Sequence, residues 1–114
     1  MMPLRPLEAA RGAVSFNPDK AATAVMLDTP DVRLVVFRLQ PGQEVSAHRN
    51  ASTVLLTVLA GSGILTGEDH GAPNERACSA GDVMAYAPNE LHAMRADDGE
   101  LVLLATITPR PGSR

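Results

Sequence analysis

Aromatic side chains are scarce in this chain of 114 residues, which has two phenylalanines, one tyrosine and no tryptophan. Few aromatic side chains are therefore available for a surface that stacks nucleic acid bases or sugar rings. The chain also lacks a block of basic residues, and its net charge is −3. Because nucleic acid is bound largely through lysine and arginine contacts to phosphates, we expect no nucleic acid partner.

Long apolar runs and paired cysteines are also missing. No run approaches the roughly 18 apolar residues of a transmembrane helix, so no membrane partner is expected. Residues 1–12 lack the apolar stretch and the cleavage site of a signal peptide. Cys78 is the single cysteine, which excludes an internal disulfide. Together these absences predict a cytoplasmic protein.

The remaining sequence consists mostly of short apolar runs that are separated by glycine, proline, aspartate and asparagine. Clear examples are residues 23–27, 32–40, 53–60, 83–87 and 101–108. Short runs at intervals of about ten residues are typical of an all-β sandwich or barrel. A short helical turn is expected only at Leu7–Arg11, because no later segment keeps a helical apolar period.

Two of these runs, 53–60 and 101–108, are apolar at almost every position. A strand with one face in water usually alternates between apolar and polar residues. Unbroken apolar strands therefore favour a homodimer in which a sheet of one copy covers a sheet of the other. The alternative is a small domain with a slightly apolar surface.

Two histidines from distant parts of the chain are candidates for a shared site. In an extended segment, His48 and Asn50 point to the same face. His92 lies in a later apolar run. Antiparallel strands bring remote residues side by side, so the two histidines can converge inside a barrel.

The spacing around His48 resembles the first motif of the cupin family. In that motif a glycine precedes two histidines, and a glutamate and a second glycine follow. Here Gly42, His48, Asn50, Val54 and Gly61 occupy those places at the family's intervals. The resemblance is to small single-domain cupins, of the RmlC-like kind, that lack the second histidine and the glutamate.

The spacing around His92 is similar to the second motif of the same family. The glycine, proline and histidine places of that motif are filled by Gly81, Pro88 and His92, with the proline displaced by one position. Asn89 stands in place of a glycine, which is tolerable because asparagine visits the left-handed backbone region more readily than most residues.

The likeness covers residues 14–108 and implies an all-β fold, the cupin double-stranded β-helix or jelly-roll barrel. One domain suits a chain of this length. We therefore expect a short N-terminal arm at residues 1–13, a cupin barrel at 14–108 and a C-terminal tail at 109–114.

Typical metal-binding cupins hold their ion with three histidines and one glutamate, and those places are filled here by His48, Asn50, Val54 and His92. An asparagine amide is a weak ligand, and valine cannot bind a metal. Glu44 has the strand parity of His48 but lies about 13 Å away along an extended strand. The resemblance leaves two alternatives: one divalent ion (Zn, Fe, Ni or Mn) on His48 and His92, or metal binding that is weak or absent. The ligand count favours the second.

The functional prediction is an interior cavity that binds a small molecule or ion around His48 and His92. The other residues expected to line this cavity are Asn50, Val54, Leu56, Val58 and Met94. The alternative is a metal-dependent enzyme of the dioxygenase, isomerase or decarboxylase type with an incomplete two-histidine site. Fold resemblance does not choose between them, so whether a reaction is catalysed stays open.

Overall fold

The computed structural model describes residues 1–112 of the chain. Within that range the chain forms one helix followed by nine strands. They are α1 (Pro6–Ala13), β1 (Ala22–Asp28), β2 (Arg33–Leu39), β3 (Glu44–His48), β4 (Thr53–Ala60), β5 (Ser62–Asp69), β6 (Ala72–Ser79), β7 (Val83–Tyr86), β8 (His92–Ala96) and β9 (Leu101–Thr108).

The helix lies within the predicted arm, and the strands lie within the predicted barrel. Residues 113–114 of the predicted tail lie outside the described residues. Across residues 1–112, no helix is long and apolar enough to cross a membrane.

The strands form two antiparallel sheets that face each other. The first has the order β1-β2-β9-β4-β7, and the second has the order β3-β8-β5-β6. Strands that follow one another in sequence frequently lie in opposite sheets, as in a jelly roll. The predicted all-β, double-stranded β-helix fold is therefore confirmed.

Strand alternation builds the core between the sheets. In β4 the residues at every second position, Val54, Leu56 and Val58, are buried, while their neighbours are partly exposed. The buried members of this core are Leu39, Val54, Leu56, Val58, Leu65, Cys78, Tyr86, Met94, Ala96, Leu101, Leu103 and Ala105. Strands β4 and β9 begin and end where the apolar runs predicted them.

A tight turn at Gly61 joins β4 to β5. Its φ is +82°, in the left-handed region that favours glycine. A Cβ at this position would also overlap the carbonyl oxygen of Glu100. Both the backbone angle and the close approach therefore require glycine here.

Part of the outer face of the first sheet is covered by the chain's own helix. Ala10 of α1, Val36 of β2 and Val102 of β9 are fully buried in one apolar cluster on this face. This contact explains part of the apolar character of β9. Leu104 remains half-buried and Val83 is 55% exposed on the same face. The homodimer expected from the sequence stays a prediction for this uncovered part.

Candidate functional site

His48 and His92 meet at the junction of β3 and β8. These strands are antiparallel neighbours, and the two histidines are directly opposite in their register. The ring centroids are 4.0 Å apart, with an angle of 64° between the ring planes. His92 is 3% exposed, whereas His48 is exposed. The pair therefore runs from the core to the surface of the barrel.

Backbone carbonyls orient both imidazole rings. His48 Nδ1 lies 2.9 Å from the carbonyl oxygen of Ser46, and His92 Nδ1 lies 3.3 Å from that of Glu90. A carbonyl oxygen can only accept a hydrogen bond, so in the neutral form of each ring Nδ1 carries the proton. Each Nε2 is then left with a free lone pair.

The protonation of His92 is disfavoured by its surroundings. Burial lowers the pKa of His92 below its usual value, because the cation loses its hydration inside the barrel. The hydrogen bond to the Glu90 carbonyl opposes this shift, and a charge on His48 adds to it. His92 is therefore a neutral ring near pH 7.

A bulge in β3 reverses the strand parity expected from the sequence. The register between β3 and β8 shifts between Val45 and His48. Glu44 pairs with the exposed Arg95, whereas His48 pairs with the buried His92. Residues directly opposite in a sheet share a face, so Glu44 and His48 lie on opposite faces. The expected shared parity of Glu44 and His48 was wrong for this reason.

Asn50 lies beyond the end of β3, in the turn before β4. Its Oδ1 accepts a hydrogen bond from the backbone N–H of Ser52 at 2.9 Å. Its carbonyl oxygen accepts one from the backbone N–H of Asn89 at 2.7 Å. Because Asn50 lies outside the strand, the alternation that predicted a shared face with His48 does not apply to it. The side-chain oxygen of Asn50 stabilises the turn instead.

The four apolar residues expected to line a cavity all belong to the main core. Each is at most 3% exposed, and they are Val54, Leu56, Val58 and Met94. Met94 follows His92 on the same face of β8. Their contribution to a ligand cavity stays a prediction.

Tyr86 is a site residue that the sequence analysis missed. Its ring centroid lies 5.2 Å from that of His92, and it is 5% exposed. Burial, with the charge of Glu90 adding to it, raises the pKa of Tyr86 to about 12. The available signal was its place two residues before Pro88 in the second motif, where strand alternation with Met84 puts it on the inner face.

Two carboxylates hold the loop that leads into β8. Glu90 Oε1 accepts the N–H of Ala87 at 2.9 Å, and Oε2 accepts the N–H of Glu68 at 3.0 Å. Glu68 Oε1 in turn accepts the N–H of Leu91 at 2.6 Å and pairs with Arg49. The Leu91 hydrogen bond is the main reason why the pKa of Glu68 is lowered, with burial opposing it.

The loop between these carboxylates also contains Asn89, whose φ is +66°. The expectation that asparagine replaces glycine in a left-handed conformation is therefore confirmed. Arg49 Nη1 donates to the Asn89 carbonyl at 2.8 Å and so joins this loop to the end of β3. The sequence gives no sign of these contacts, because the partners are far apart along the chain.

The site lacks the ligands of a resident metal centre. Across residues 1–112, no group of three or more histidine, cysteine, aspartate or glutamate side chains is placed to hold a metal ion. His48 and His92 contribute two imidazole nitrogens, while a catalytic zinc site has three protein ligands. The residues present therefore do not fit a tightly held divalent ion.

A pocket of about 200 Å³ is bordered in part by Tyr86, whose ring also lies next to His92. It is bordered by residues of β5, β6 and β7 and by Glu90. Its described lining does not include the histidines or the five residues predicted to line a cavity with them.

Comparison with known proteins agrees with the geometry. The family model of the cupin domain matches residues 35–107, a range that contains both histidines. No curated protein matches the chain.

Several solved structures share the fold. An uncharacterised protein with a double-stranded β-helix domain from Klebsiella pneumoniae subsp. pneumoniae MGH 78578 is 20% identical, with a TM-score of 0.80 over 92% of this chain and 90% of its own. An RmlC-like cupin from Desulfovibrio desulfuricans is 24% identical, with a TM-score of 0.77 over 96% and 98%. An oxalate decarboxylase from Lactobacillus farciminis is 19% identical, with a TM-score of 0.75 over 88% of this chain and 31% of its own.

At these identities the structural likeness shows the fold alone. The family model covers more than half of the chain, and its range includes both sequence motifs. The chain belongs to the cupin family.

Proposed function

We propose that this cupin binds a small molecule through a hydrogen-bond donor, such as a hydroxyl group, that reaches the Nε2 atoms of His48 and His92. The observation that carries the proposal is the ring pair, 4.0 Å apart, with both Nδ1 atoms directed at backbone carbonyls. In this arrangement the nitrogen of each neutral ring that can accept a hydrogen bond is Nε2. A ligand with a donor group complements them.

The two histidines have different roles in this proposal. His48 is exposed and gives a ligand access to the pair. His92 is buried and neutral, so a hydrogen bond to its Nε2 forms in surroundings with little competing water. Tyr86 packs beside His92 and limits the space around it.

The metal-dependent alternative is less well supported. An oxalate decarboxylase is among the structural neighbours, but the likeness concerns the fold. In this chain Val54 is apolar, Asn50 is used in a turn and Glu44 faces the other side of β3. We therefore propose that a divalent ion binds the two histidines weakly or not at all.

A pair of matched probes tests the ligand proposal. Phenol offers a hydroxyl donor, and anisole has the same ring without the donor. We expect phenol to shift the side-chain ¹⁵N resonances of His48 and His92 Nε2 in an NMR titration, while anisole does not. His70 is the internal control, because its side chain is 97% exposed and lies in the hairpin turn between β5 and β6.

Equal shifts with both probes would mean that only the aromatic ring is recognised, and the donor proposal would be wrong. The absence of any shift at His48 and His92 would have the same consequence. Metal analysis of freshly purified protein, compared with the double variant His48→Ala/His92→Ala, tests the second part. Stoichiometric metal that is lost in the variant would contradict weak binding.

A further inference from the structure

A seam separates the two sheets on the side of the barrel where β6 and β7 lie. These strands are the edges of opposite sheets. The pocket of about 200 Å³ opens between them. Leu65 and Met84 form part of its apolar wall, and Asn74, Arg76 and Tyr86 contribute polar groups.

The polar side chains left free in this pocket can each donate hydrogen bonds, and the guanidinium of Arg76 can only donate. Asn74 and Arg76 lie on one face of β6, opposite Gly67 and Leu65 of β5. Neither side chain has a hydrogen-bond or ion-pair partner among residues 1–112. Tyr86 is nine-tenths buried, borders the pocket, and has no hydrogen-bond partner for its hydroxyl in the same range. An amide, a guanidinium and a phenol therefore face one space without protein acceptors.

The carboxylates that border the pocket already have partners. Glu90 accepts two backbone N–H groups, and Glu68 accepts a third and pairs with Arg49. Asp69 is largely exposed and lies 3.5 Å from His70. Both oxygens of Glu90 and one oxygen of Glu68 accept hydrogen bonds, and Asp69 is largely exposed. The free donors of the pocket therefore favour an acceptor group on a ligand.

We propose that this seam pocket binds the carboxylate of a small organic acid. The guanidinium of Arg76 matches the two oxygens of a carboxylate, and the Tyr86 hydroxyl and the Asn74 amide add further donors. The apolar end of the acid packs against Met84 and Leu65. The volume limits the ligand to a short chain or a single small ring.

The seam pocket is separate from the histidine pair. Gly67 allows Tyr86 and Glu90 to close over β5, since a Cβ there would come within 3.2 Å of the Tyr86 ring and 3.0 Å of Glu90 Oε2. His48 and His92 are not among the residues that line the pocket, although the ring of Tyr86 borders it and also contacts His92. The inference therefore goes beyond the proposed function and does not depend on it.

Three probes of one size and different charge test the proposal. Butyrate, n-butanol and n-butylammonium are titrated into the ¹⁵N-labelled protein, and the backbone resonances of Asn74, Arg76 and Tyr86 are followed by NMR. We expect butyrate to shift these resonances and to bind more tightly than the other two. A preference for n-butylammonium would show that the carboxylates dominate the pocket, and equal binding of n-butanol would show that charge is not recognised. Either outcome would overturn the proposal.

Substitutions locate the site. Arg76→Gln should weaken butyrate binding by about tenfold or more, the usual effect of losing a charge-assisted hydrogen bond. Tyr86→Phe should weaken it about threefold to tenfold and keeps the ring that packs in the core. The matched control is Arg95→Gln, because Arg95 lies on the exposed face of β8 and only a 3.9 Å contact joins it to Glu75.

If Arg76→Gln and Arg95→Gln lose equal affinity for butyrate, the effect comes from general surface charge and the proposed site is wrong. His92→Gln distinguishes the two proposals. It should remove the response to phenol and leave the affinity for butyrate unchanged.

Discussion

The buried His92 predicts that acid begins to destabilise the fold as the pH falls below about 6.5. Its pKa in the folded protein lies below the ordinary value of 6.5. Between these two values the unfolded chain binds a proton that the folded chain does not bind. The free energy of unfolding therefore falls as the pH falls through this window, and the contribution is fully retained above pH 6.5.

The change in the free energy of unfolding with pH that His92 causes is limited to the binding of a single proton. A single group changes the free energy of unfolding by at most about 1.4 kcal/mol for each pH unit. Glu68 acts in a lower window, since its pKa is lowered from 4.5. The loss of its stabilisation begins only as the pH falls below that value, so the two contributions separate on the pH axis.

The measurement is urea denaturation followed by circular dichroism, at intervals from about pH 7.5 to about pH 5. The parent protein should lose stability with a slope that approaches the one-proton limit, and His92→Gln should lose that slope. The charge on His48 contributes to the lowered pKa of His92. His48→Gln should therefore bring the pKa of folded His92 closer to its ordinary value and narrow the pH range over which stability is lost. His70→Gln is the comparison variant, because it removes a histidine whose side chain is 97% exposed.

A parent protein that gains stability as the pH falls from about 6.5 would refute this reasoning. So would a His92→Gln variant with the same slope as the parent. Either result would place the imidazole in a more hydrated environment than its 3% exposure implies.

Two further predictions concern the turns and the outer face of the barrel. Gly61→Ala should reduce the free energy of unfolding by about 1–3 kcal/mol or more, since it strains a left-handed backbone and overlaps the Glu100 carbonyl. In the same denaturation assay the control Gly12→Ala, in a helix with open space around it, should be neutral or slightly stabilising, and equal losses in both would contradict the turn argument. For the homodimer, light scattering after size exclusion should give twice the chain mass, and Val83→Glu on the uncovered face should reduce it to one chain mass. A monomeric parent, or a dimer that keeps its mass in Val83→Glu, would contradict a dimer through this face.

Strand positions were largely determined by the local sequence. The runs at 53–60 and 101–108 coincide with β4 and β9, because a short apolar run and its flanking turn residues are encoded in the local sequence. The left-handed Asn89 was predictable in the same way, from one residue and its place in a motif. The helical turn expected at Leu7–Arg11 became the longer α1, Pro6–Ala13.

The functional site depended on contacts that no local pattern contains. A bulge of one residue in β3 moved Glu44 to the opposite face from His48. The contact of Tyr86 with His92 depends on the packing of β7 and β8, which belong to different sheets. The hydrogen bonds that join Glu68 to Glu90 and Leu91 connect residues 22 and 23 positions apart in the chain.

The sequence alone determined where β4 and β9 begin and end and which residue types are available for chemistry, because these follow from short apolar runs and turn preferences. Only the tertiary structure decided which face each residue occupies and which polar groups are left without a partner. Both depend on strand register and on the packing of one sheet against the other, and a single-residue shift in register reverses them.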